Sequence, residues 1–82
     1  MTIVLVGETW RQVEQAMEVH GLKPSDVRGC VLERPSDVDA LRGYGRGTII
    51  IVLRGAAYPR ELEFLLYDRE RSGCLIARWI GL

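Results

Sequence analysis

The amino-acid sequence predicts an α/β domain: a four-stranded, mainly parallel sheet with three helices, in the order βαβαβαβ. Three observations carry that expectation. Four short apolar stretches alternate with three segments that have helical character. The helical segments open on capping residues or a proline and close on glycine. The connectors span only a few residues, which favours parallel strands joined by right-handed crossovers.

The first stretch, residues 2–6 (TIVLV), is apolar without alternation and stops at Gly7, as suits a strand buried on both faces. Thr9 stands three residues before Gln12, the spacing of a capping box. Trp10, Val13, Ala16, Met17 and His20 then recur at helical intervals until Gly21. After the turn chemistry of Lys23-Pro24-Ser25-Asp26, residues 27–32 form a weaker strand, interrupted by Arg28 and Gly29, that belongs at a sheet edge. Pro35-Ser36 followed by Asp37, Val38, Asp39, Ala40 and Leu41 predicts a short helix, ended by the three glycines of Gly43-Tyr44-Gly45-Arg46-Gly47. Residues 48–53 (TIIIVL) have no polar face beyond the first residue and belong in the middle of the sheet, so an acid at Ile51 is expected to unfold the chain. Pro59 suits a first helical position, with Glu61 and Glu63 at the positive end of the dipole and Leu62, Leu65, Leu66 and Arg69 on one face before Gly73. Residues 74–80 make the last strand.

With strands numbered along the chain, the expected spatial order is 2-1-3-4, a three-layer arrangement. The chain then runs one way from the first strand to the second and the other way afterwards. The first helix covers one face and the other two cover the opposite one. The third and fourth strands are left without a helix on the first helix's side, although Leu75, Ile76, Trp79 and Ile80 make the fourth strand apolar. A homodimer, through that face or by pairing along the fourth strand's edge, is the expected cover. Phe64 and Tyr67 lie off the leucine stripe of the third helix and are expected to protrude as a partner contact.

Residues 1–82 read as one domain, whose size allows only a thin core. Apolar residues make up 48% and charged residues 27%, a globular composition. Eleven basic and eleven acidic side chains cancel, so no overall field draws the chain to nucleic acid or to an anionic membrane. Neither partner is expected. Cys30 and Cys74 lack metal-ligand or redox spacing and fit a reducing cytoplasm, and no apolar run reaches the length of a membrane span.

In an open parallel sheet, ligands sit beyond the strand ends where the strand order reverses, here between the first and third strands. Gly7, Glu8, Thr9, Arg54, Gly55 and Tyr58 are the candidate binding residues of that crevice. Glu8 offers a base and Arg54 a partner for an anion. The alternative is structural: Glu8 and Thr9 cap the first helix and Arg54 pairs with Glu8. The loop GETW lacks the second glycine and the lysine of GxxxxGK[ST], and no Asp follows the third strand to hold magnesium. His20 falls at a helix end, remote from the strand ends, and no serine lies in a nucleophile elbow. Arg42, Tyr44 and Arg46 mix basic and aromatic groups in one loop, a pattern that in other proteins contacts phosphates and bases; a solvated loop suits the zero net charge better.

The segments LVGETW and LRGYGRGTIIIV, with a first helix rich in Gln and Glu, resemble small proteins encoded by bacteriophages of actinobacteria, which look like pared-down P-loop or Rossmann-like folds. The resemblance covers about the first two-thirds of the chain. It departs from true P-loop enzymes at the missing lysine and the missing acid after the third strand. It implies a phage accessory protein that acts in a host cytoplasm by binding.

No catalytic set, metal site or cofactor motif is complete in this sequence. The expectation is a non-enzymatic protein-interaction module, homodimeric and able to engage a host or phage protein, with Phe64, Tyr67, Ile76, Trp79 and Ile80 as interface residues. The second expectation is a degenerate nucleotide or phosphoanion binder using the strand-end crevice.

Overall fold

The computed structural model describes residues 2–79. Its elements are β1 (Thr2–Gly7), α1 (Trp10–Val19), β2 (Val27–Val31), a 3-10 helix (Pro35–Leu41), β3 (Thr48–Leu53), α2 (Glu61–Arg71) and β4 (Leu75–Trp79). The four strands form one parallel sheet in the order β2-β1-β3-β4. Both the α/β class and the strand order match the expectation from sequence.

The termini of the elements follow local chemistry. Thr9 caps α1, its hydroxyl accepting from the Gln12 amide at 3.1 Å. Gly21, at φ +65°, takes the left-handed conformation that stops α1. Pro59 lies two residues ahead of α2 and not inside it; the Leu62 amide of the first turn donates back to the Pro59 carbonyl at 3.0 Å. Acids in the first turn of α2 and Arg69 and Arg71 in its last complement the dipole.

The segment after β2 differs from the short helix predicted, winding as a 3-10 helix. Its amides bond three residues back, Asp37 to the Arg34 carbonyl and Arg42 to the Asp39 carbonyl. The Asp37 carboxylate gathers the Glu33 and Arg34 amides at 2.9 and 2.8 Å, which lowers its pKa through those two hydrogen bonds and pins the entry.

Strand alternation divides the interior into two cores. Val4, Val6, Ile50 and Val52 point towards α2 and the 3-10 helix, and meet Leu41, Leu62, Leu65 and Leu66. On the other side Leu5, Val27 and Leu53 meet Val13 and Ala16 of α1. Because α1 rests on β1 and β2, the second core is the smaller. Towards β4 it runs out: Ile49 and Ile51 are half-buried, and Leu75, paired in register with Ile49, is 65% exposed. Among the described residues no helix lies over β4 on that side.

Candidate functional site

The strand order reverses between β1 and β3, and the carboxyl ends of these strands carry the predicted crevice. Its backbone is held by three side chains. Gln12 accepts from the Glu8 amide at 2.8 Å and donates to the Arg54 carbonyl, tying α1 to the end of β3. The Glu8 carboxylate accepts from the Ala57 amide at 2.6 Å. The Tyr58 hydroxyl lies 2.7 Å from the Leu53 carbonyl and 3.1 Å from the Val6 carbonyl, so its single proton is shared between β1 and β3.

The backbone approaches side chains closely at two points of this closure. A Cβ on Gly55 would collide with the Glu8 side chain, and one on Gly7 would stand 2.8 Å from Val13 Cγ2. The loop therefore folds down on Glu8, and α1 seats directly on β1.

Gly7, Glu8, Gly55 and Tyr58 meet here as the strand order implied. Thr9 turns to its capping role. Arg54 contributes its carbonyl, while its side chain makes no ion pair with Glu8; the Glu8 carboxylate serves the Ala57 amide instead. Gln12 and Ala57 complete the cluster. The capping-box spacing signalled Gln12, although its side chain accepts from Glu8 and not from the Thr9 amide. Ala57 gave no signal, because its amide is used and its side chain is not. As arranged, the crevice is a set of mutual hydrogen bonds in which a carboxylate already occupies an amide that an incoming anion would need.

Burial pushes the Tyr58 hydroxyl up to about 12, with the negative charge of Glu8 as the next cause. The unfolded tyrosine ionises near 10. Between about pH 10 and 12 the unfolded chain thus releases a proton that the folded one keeps, and stability falls as pH rises through this window. We expect urea midpoints measured from pH 8 to 12 to fall less steeply above pH 10 in Tyr58→Phe than in the parent, with the variant less stable at pH 8 by about 1–2 kcal/mol. Parallel curves would show that Tyr58 is not held neutral by the fold.

The other candidates occupy separate surfaces. Phe64 and Tyr67 are 72% and 63% exposed on the outer side of α2, and the Arg71 guanidinium lies 5.8 Å from the centre of the Tyr67 ring. Ile76 is half-buried against the α2 core, so it does not share the open face with Leu75. Trp79 is described only through its strand pairing with Leu53, and Ile80 lies outside the described residues. In the glycine-rich loop, Arg42 is tied to Asp39 at 2.7 Å. Tyr44 packs partly buried on the larger core, and its carbonyl accepts from Arg69 Nη1 at 2.7 Å.

Among the described residues, no cluster of three or more His, Cys, Asp or Glu could hold a metal ion, and no helix is long and apolar enough to cross a membrane. No known protein family, curated protein or solved structure matches the chain.

Proposed function

We propose that the protein is a non-enzymatic interaction module that pairs with a second copy of itself through the open side of β3 and β4. The observation that carries this reading is Leu75, 65% exposed beside half-buried Ile49 and Ile51, on a sheet face where α1 does not reach. Apolar burial is worth roughly 25 cal/mol per Å², so covering a few hundred Å² adds several kcal/mol to a domain of small core.

A second copy fits better than a charged partner. The patch carries no charge of its own, and the chain's eleven basic and eleven acidic residues leave no net repulsion between copies. A two-fold axis through the patch would set Leu75 and Ile49 of each copy against those of the other. The outward pair Phe64 and Tyr67, on the opposite side of the sheet, stays free for a host or phage protein in a cytoplasm.

Light scattering across a dilution series tests this reading. The expected mass at high concentration is twice the 9.3 kDa of the chain, falling towards one chain on dilution. Leu75→Glu should remain folded and monomeric throughout, since the residue is exposed in the single chain. A parent that is monomeric at all concentrations, or a Leu75→Glu variant that still pairs, would refute the proposal.

A further inference from the structure

Beyond the carboxyl ends of β3 and β4, next to the closed crevice, lies an open cleft of about 350 Å³ lined by Arg54, Arg60, Glu63 and Arg78. Three arginines and one carboxylate residue therefore line one cleft, in a chain whose overall charge is zero. Glu63 and Arg78 are joined at 2.6 Å, with both side chains more than half exposed. Arg54 and Arg60 enter no ion pair among the described residues. The guanidinium fork suits phosphate oxygens, which it can meet with paired N–H donors.

The cleft lies at the carboxyl end of the sheet, one strand away from the point between β1 and β3 where the strand order reverses. We propose that this cleft binds a compact phosphate-bearing anion, of the diphosphate class, between Arg54 and Arg60, with Glu63 acting as an internal competitor that holds Arg78. A diphosphate offers each of the two unpaired arginines a phosphate group of its own. The site does not use Glu8, and it is independent of the sheet face through which copies pair.

The test is a titration of the ¹⁵N-labelled protein with inorganic pyrophosphate at low salt, followed by amide shifts. Saturable shifts are expected at Gly55, Arg60 and Glu61. Arg54→Gln and Arg60→Gln should each weaken binding roughly tenfold, as loss of a charge-assisted hydrogen bond implies. Glu63→Gln should tighten it by a few-fold, because Arg78 is released to the ligand. Arg42→Gln, in the distant glycine-rich loop, should leave affinity unchanged. All four side chains are exposed, so the variants retain the fold. A parallel titration with ADP distinguishes the source of the diphosphate. Equal or weaker binding than pyrophosphate assigns the site to a free diphosphate, and tighter binding assigns it to a nucleotide. Absence of saturation with pyrophosphate, orthophosphate binding as tightly as pyrophosphate, unchanged affinity in Arg54→Gln and Arg60→Gln, or no tightening in Glu63→Gln would each overturn the assignment.

Discussion

Ile50→Asp should leave no cooperatively folded protein at 25 °C. Ile50 is fully buried at the centre of β3, between β1 and β4 and beneath the leucines of α2. The substitution removes an apolar side chain whose loss alone costs about 2–5 kcal/mol, and puts in its place a carboxyl group with no partner, which costs several more. A domain of this length holds roughly 5–10 kcal/mol in total. Circular dichroism with a urea titration checks it: no sigmoidal transition is expected. Ile51→Asp, one residue along, should still fold with a reduced midpoint, in contrast to the unfolding expected from the sequence alone. Ile51 is only half-buried, and its side chain turns to the thinner core where water can reach a carboxylate. A folded Ile50→Asp, or an Ile51→Asp as damaging as its neighbour, would contradict the assignment of the two faces.

That difference marks where the sequence was sufficient and where it was not. The run TIIIVL was legible as a central strand because it lacks polar alternation, and the strand order followed from short crossovers of one hand. Which isoleucine meets the deeper core was not legible, because a strand apolar on both faces gives no sign of which face is better covered. The same ambiguity hid that Ile76 turns to α2 and Leu75 to the open face. At the crevice, strand order brought Gly7, Glu8, Gly55 and Tyr58 together correctly. Its closure depends on the Ala57 amide and the Arg54 carbonyl, backbone groups that every residue carries and that no side-chain pattern announces.

Leu41→Ala should cost about 2–5 kcal/mol, a large share of the total stability. Leu41 is completely buried at the end of the 3-10 helix, and Val38 is nearly so. A 3-10 helix of this length has little stability of its own, because its hydrogen bonds are poorly aligned and its entry depends on Asp37. It is held against the sheet and α2 chiefly by these two side chains, so truncating one leaves a cavity that the segment must collapse into or abandon. With a urea slope of about 1 kcal/mol/M for so small a domain, the midpoint should drop by roughly 2 M or more. A loss below about 1 kcal/mol would mean that the segment repacks freely and contributes little to the larger core. Leu75→Ala, by contrast, should leave single-chain stability nearly unchanged, because Leu75 is largely exposed.

The claim that organises the rest is that the open side of β3 and β4 is where two copies meet. It is tested most directly by isotope-filtered NOE spectroscopy on a sample mixed from methyl-labelled and unlabelled chains, at a concentration where the mass is doubled. Intermolecular contacts are predicted from the methyl groups of Leu75, Ile49 and Ile51, and none from the rings of Phe64 and Tyr67. Intermolecular contacts confined to those two rings, or none from Leu75 in a sample of doubled mass, would contradict the claim.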